Sequence, residues 1–276
     1  MALRRIAALL LAWCAATWPG SSRLPDAAVR AVERVSADAL RGYVGTLAGD
    51  DFGGRGVGDP GNRAAEEFIC STLQQNGVTP AGAAGSCYQS VLIYRPSPGA
   101  HARLRVTQQD GAPLADVSLG AEAFVTSPQP NRRVIANLNL DMVGRHEEIP
   151  DPNNWRFFGL PKVDPATSLN TLHVLGYSLS PELAAELRDA NDAVGLTLLE
   201  DYDVGAQDLL KRSDHWPFLS HGIPALFLTT GLHPDYHTPD DDTARIDFGK
   251  LARVARLAAR AAWIVADGPA PAMKKH

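Results

Sequence analysis

The run Val134–Met142, VIANLNLDM, constrains this chain more than any other stretch. It is almost continuously apolar between polar flanks, the pattern of a strand buried on both faces of an α/β sheet. Such a strand needs cover from two layers, and the residues after it supply elements in alternation. A strand is predicted near Thr171–Leu175, a helix from the cap Ser180 and Pro181 to Gly195, a strand near Leu196–Leu199 and another over Ala225–Thr229. The last element, from about Asp247 to Ala266, sets Phe248, Leu251, Val254, Leu257, Ala261 and Val265 on one stripe. Arg253, Arg256 and Arg260 lie mostly away from it, so the segment should pack as a terminal amphipathic helix. This alternation predicts an α/β layered fold.

Upstream of the run the pattern changes. A helical stretch from about Pro25 to Leu47 leads into a turn-rich loop, Gly53-Gly54-Arg55-Gly56, and Asp59-Pro60 opens a second helix that ends at Gly77. Start and stop signals agree there. Asp59 can cap, Pro60 suits the first helical position, Ala65, Phe68, Ile69, Thr72 and Leu73 share a face, and Gly77 can take a left-handed exit. From Cys87 to Val125, short extended runs (VLIY, ARLRV) are broken by Pro96, Pro98, Gly111 and Pro113, which reads as strands without a complete domain of their own.

At 276 residues, 45% hydrophobic and 21% charged, the chain has enough apolar content for a sizeable core, in one large domain or two small ones. Its net charge of -5 and scattered Lys and Arg residues argue against a nucleic-acid groove. The first twenty residues combine Arg4 and Arg5, an apolar run from Ile6 to Trp13, then small residues and Pro19-Gly20, the build of a secretory signal. The run is too short for the ~20 residues of a stable transmembrane anchor. A periplasmic or secreted location is expected, and Trp13 disfavours lipid attachment at Cys14. In an oxidising compartment Cys70 and Cys87 could form a bridge or stay as two thiols, since spacing does not fix their geometry.

Several motifs dissolve on inspection. Gly56, Gly58 and Gly61 match G-x-G-x-x-G ahead of a helix, but no strand precedes them, Pro60 removes an amide that would face a phosphate, and no acidic residue follows at the ribose position. His146-Glu147-Glu148-Ile149-Pro150 begins like H-E-x-x-H but has proline where the second histidine belongs. No G-x-S-x-G is present, and Ser213-Asp214-His215 are consecutive, whereas a triad is assembled in space. What remains is a set of oxygen and imidazole donors: Asp141 at the end of the apolar run, then Ser213, Asp214, His215, His233, Asp235 and His237 around later loops. Strand ends are where α/β folds put their sites.

Taken together, DDFGGRGVGDPGNRAAEEFI, NGVTPAG, ANLNLDMVGR, SDHWPFLSHGIPALFLTTGLHPDYHTPDD and the helix after DTARIDFGKLARVARL resemble, in order, the two-zinc aminopeptidases of metallopeptidase family 28. The likeness covers about Asp51–Gly82 and Val134–Ala266. It implies a three-layer, phosphorylase/hydrolase-like α/β fold with a mixed sheet flanked by helices, here incomplete. It also implies zinc as cofactor and peptide or protein N-termini as partners. By that resemblance Asp141 and His237 are metal ligands of different zincs, Ser213, Asp214 and His215 line or support the site, and Tyr236 faces it.

The family also needs a His-x-Asp pair and a Glu-Glu pair holding the general base. Between Val91 and Asn139 the sequence has one histidine, His101, and one glutamate, Glu122, so neither motif is present. Glu66-Glu67 comes too early, and Glu147-Glu148 comes after Asp141. Both read as solvated pairs, and His233-Pro234-Asp235 belongs to the later motif. LGAEAFVTSPQPNRRVIANLNLDM reads as a junction across an internal deletion. The divisions that follow are a signal peptide over 1–20, an N-terminal helical segment over 25–82, a short β-rich remnant of an accessory insert over 83–125, and the C-terminal half of the peptidase-like domain over 133–268. The expected activity is N-terminal peptide hydrolysis that is weak or lost, with a catalytic residue unidentified. The alternatives are a non-catalytic binding protein or deletion remnant, a zinc hydrolase completed by unexpected residues or a partner chain, and a glutaminyl-cyclase-like transferase. Uncovered faces would favour self-association.

Overall fold

A computed structural model describes residues 24–56, 58–89, 119–127, 133–157 and 159–274. The leader, the VLIY and ARLRV runs and His101 lie outside the described residues. Four strands, β1 (Asn137–Leu140), β2 (Thr171–Leu175), β3 (Thr197–Leu199) and β4 (Ala225–Thr229), form one mixed sheet in the order β1-β4-β2-β3. β1 runs parallel to β4 and β2 parallel to β3, whereas β2 and β4 are antiparallel, with His173 opposite Thr229. The chain is therefore a mixed α/β structure with helices flanking the sheet.

Side-chain alternation along the strands separates two faces. Leu172 and Val174 of β2 and Leu226 and Leu228 of β4 pack with Leu183 and Leu187 of α5 (Pro181–Asn191) and Val254 and Leu257 of α7 (Phe248–Asp267). His173, Leu175 and Phe227, at the intervening positions, point the other way, where the long connections between strands gather. Ser180 does not cap α5 through its side chain. Its hydroxyl instead accepts from the Ala225 amide at 3.1 Å and meets the Met273 sulfur at 3.4 Å, tying the C-terminal tail to β4.

The apolar run Val134–Met142 contributes less strand than its composition suggests. Only Asn137–Leu140 pairs, at the edge of the sheet. Its residues are half-buried, and Leu140 is 38% exposed. Burial on both faces, expected from the sequence, is corrected: among the described residues nothing pairs with the outer edge of β1, and α5 and α7 cover mainly the strands inside it.

The early helical stretch divides into α1 (Asp26–Glu33) and α2 (Ala37–Leu47), where Ser36 caps the Ala39 amide. α1 packs Val32 and Ala28 near Ala259 and Ile264 of α7, and Arg256 donates to the Val35 carbonyl at 3.0 Å. α3 (Pro60–Gln75) explains the glycine cluster ahead of it. A Cβ on Gly61 would fall 1.6 Å from the Phe52 carbonyl oxygen, so this glycine exists for close packing of α3 on the turn Asp50–Arg55. Cys70 on α3 is bridged to Cys87, with Cα atoms 5.8 Å apart. Leu119–Thr126, at the end of the segment read as extended, is instead a helix, α4. No proline or internal breaker interrupts LGAEAFVT after Gly120, and its Phe124 packs 5.9 Å from Phe218 of α6 (Trp216–Ser220).

Candidate functional site

On the sheet face away from α5 and α7, a pocket of about 50 Å³ opens among Asp141, Glu147, Tyr202, Arg212, Phe227 and Tyr236. The chain reaches it from the end of β1, the loop after β3 and the loop after β4. Asp141 immediately follows β1, and its amide donates to the Leu228 carbonyl at 3.2 Å. Ser213, buried, donates its hydroxyl to Asp141 Oδ2 at 2.7 Å and accepts from Asn139 Nδ2 at 2.7 Å, so it links the strand to the carboxylate. Asp141 itself is exposed.

Backbone strain falls on one residue expected to bind metal, His237, and on the neighbour of the other, Asp141. Met142, directly after Asp141, has φ +58°, and His237 has φ +57°. A non-glycine residue in this left-handed region costs about 1–3 kcal/mol and is kept by its surroundings. At Met142 the retaining contacts are the Thr230 amide and hydroxyl, which donate to its carbonyl at 3.0 and 2.7 Å. At His237 the loop is held by Asp235, clamped at 2.7 Å by Arg145 and at 2.9 Å by Arg245. Those guanidiniums hold the Asp235 carboxyl below its ordinary range, Arg145 foremost through its hydrogen bond. The H-x-D spacing of His233 and Asp235 is thus part of an ion-paired loop.

The structure separates the remaining expected site residues. Tyr236 lines the pocket, and His237 stacks on it with ring centroids 3.8 Å apart, but His237 is exposed and outside the lining. Asp214 is exposed at the surface, while His215 is buried and stacks at 5.0 Å on Phe227. Burial pushes His215 down to about 4, against a smaller opposing pull from the Leu210 backbone, so it is neutral at pH 7.

The most elaborate polar structure of the pocket was not legible as a site in the sequence. Glu147, expected to be solvated, is 4% exposed. Tyr202 donates its hydroxyl to Glu147 Oε1 at 3.0 Å, and His173 Nε2 lies 3.1 Å from Glu147 Oε2. The other ring nitrogen, Nδ1, lies 2.7 Å from Asp201 Oδ1, and the imidazole stacks on Tyr202 at 4.9 Å. Asp203 fixes the loop that carries these groups by accepting from the Gly176 and Ser178 amides at 2.5 and 2.9 Å. Burial alone would lower His173, but its hydrogen bonds to Asp201 and Glu147 overcome that and raise it to about 9. The imidazole is therefore a cation between two carboxylates. Gly231, at φ +88°, makes room: a Cβ there would lie 2.7 Å from the Glu147 side chain. The one available signal was His173 itself, a polar residue inside the buried strand TLHVL, which has to find partners.

These donors do not fit a zinc site. Catalytic zinc takes three protein ligands and an open position. Among the described residues no three His, Cys, Asp or Glu side chains converge to hold a metal. Asp141 and His237 supply two donors from different loops, one in the pocket lining and one outside it.

The sequence profile of peptidase family M28 matches residues 116–262, just over half of the chain. The chain belongs to peptidase family M28. The match takes in every pocket residue named above. No curated protein sequence matches this M28 chain. Among solved structures it is similar to the LapA aminopeptidase of Legionella pneumophila, at 19% identity and a TM-score of 0.41 over 55% of this chain and 36% of that one. It is also similar to BSAP, a zinc aminopeptidase from Bacillus subtilis, at 22% identity and a TM-score of 0.38 over 57% and 36%. An aminopeptidase from Aneurinibacillus sp. strain AM-1 gives 21% and 0.38 over 56% and 31%. The M28 chain thus spans about a third of the length of these structures. No described helix is long and apolar enough to cross a membrane.

Proposed function

We propose that this M28 protein is exported and binds peptides or protein N-termini in the remaining half of an aminopeptidase cleft, with little or no hydrolytic activity of its own. The observation that carries this reading is the donor set: among the described residues no three His, Cys, Asp or Glu side chains, Asp141 and His237 included, come together to hold a metal ion. The one glutamate between Val91 and Asn139 is Glu122, which lies on α4 with His221 at 3.8 Å. Loss of a general base alone lowers a rate by about 10²- to 10⁴-fold. The strained backbone at Met142 and His237 supports descent from a working site, because such conformations cluster where function once required them.

The test is hydrolysis of a panel of aminoacyl p-nitroanilides with zinc added, comparing the wild-type chain with the double substitution Asp141→Ala, His237→Ala. Equal background rates are expected. A wild-type rate well above the double variant would overturn the proposal. Export rests on the signal-like start, and self-association on the edge of β1, which has no partner among the described residues. Cell fractionation reads the first and native mass spectrometry the second: protein confined to the cytoplasm would contradict export, and a monomer would contradict self-association.

A further inference from the structure

The Glu147 network is more than a loop tie, because its central carboxylate lines the pocket. An ionised carboxylate offers about four acceptor sites. Tyr202 and His173 occupy one on each oxygen of Glu147, leaving acceptor capacity for a ligand. The same two donors fix the carboxylate in one orientation, so a ligand meets a charge whose ordering cost has already been met by folding. Around it the lining is mostly apolar, with Met142, Leu175, Leu209, Phe227 and Leu232. Its charged members are two carboxylates, Asp141 and Glu147, and one guanidinium, Arg212, and negative charge stays in excess when the His173 imidazolium behind Glu147 is counted with its second carboxylate, Asp201. The volume, about 50 Å³, is several times the roughly 10–15 Å³ that one water requires. It suits the end of a side chain and not a whole residue.

We infer that this pocket takes the end of a lysine-like side chain, with the methylene arm against the apolar wall and the primary ammonium on Glu147. The inference rests on the reading of the cleft as peptide-binding and deepens it by naming the residue class. Geometry separates it from the opposite choice. A carboxylate ligand would have Arg212 as its only cationic partner in the lining and would face two anions. An ammonium has both carboxylates, and the charge-assisted contact with Glu147 forms inside a largely apolar wall, where it is least screened.

The experiment measures binding only, by calorimetry or NMR titration of the full chain with metal chelated, so it does not depend on peptidase activity. The probes are lysinamide, norleucinamide and glutamine amide, which share the α-ammonium and differ in the side-chain end. Lysinamide is expected to bind at least about tenfold more tightly than norleucinamide, and Glu147→Gln is expected to bring the two to parity. Equal affinity for lysinamide and norleucinamide in the wild type would overturn the ammonium site while leaving the peptide cleft standing. Binding of none of the three would overturn both. Should Glu147→Gln fail to give the native circular dichroism spectrum, the ratio of the two ligands in the wild type decides the matter alone.

Discussion

Glu147 and Asp141 line the same pocket in opposite conditions. Glu147 is buried, with partners on both oxygens, and its neighbours reach outward through His173 to Asp201. Asp141 is exposed, fixed mainly by Ser213, and it follows a strand whose outer edge has no partner among the described residues. Both side-chain partners of Glu147 come from β2 and the loop after β3, inside the region matched by the family profile. Among the described residues no partners complete a metal site around Asp141. A wall of a site is finished only where the chain itself contains both sides of each interaction.

If this contrast is real, the two acids differ most in stability. Glu147→Ala removes one of the two carboxylates that hold a buried imidazolium, and the acceptor of the Tyr202 hydroxyl, and is expected to cost about 3–5 kcal/mol by chemical denaturation, whereas Asp141→Ala should cost less than about 1 kcal/mol. Equal losses would break the comparison. A pH titration of stability sharpens it. His173 has its folded value at about 9, above the ordinary 6.5. Its stabilisation is therefore complete below 6.5 and lost as pH rises through 9. Lys250, fully buried and held down to about 8 by that burial, acts in the reverse sense: its penalty is present below 8 and is relieved toward 10.5. Between pH 6.5 and 8 His173 dominates, and stability is expected to fall by roughly 1.5 kcal/mol. A flat profile there, unchanged by replacing His173, would rule out a cationic His173 between Glu147 and Asp201. The smallest effect belongs to the open wall. Ser213→Ala should cost about 1 kcal/mol, as one hydroxyl that both donates and accepts is lost, and a cost above about 3 kcal/mol would mean this wall is as tightly built as the other.

Much of the fold was legible from periodicity. β2 and β4 occur at the predicted residues, and α5 and α7 begin at their prolines and caps, because apolar stripes and turn residues report burial directly. Lys250 was not foreseeable: it lies fully buried on α7 and donates to the Ser168 carbonyl at 2.8 Å, a contact that no helical period encodes. The position of β1 was misread for a related reason. An apolar run reports that a strand needs cover, and it does not say whether the sheet continues beyond it. At the site, Asp141, Ser213 and Tyr236 do meet in one region, while His215 is turned under Phe227 and His237 stays outside the lining. Glu147 looked like half of a solvated acidic pair, since its side-chain partners His173 and Tyr202 are separated from it by 26 and 55 residues and meet it only through the fold.

Among its described residues this M28 chain keeps a pocket without a zinc-binding set. Zinc per folded chain, measured by elemental analysis after dialysis against trace zinc and compared with the Asp141→Ala, His237→Ala variant, tests it directly. The account predicts a value near zero in both proteins. A value near two in the wild type that disappears in the variant would contradict it.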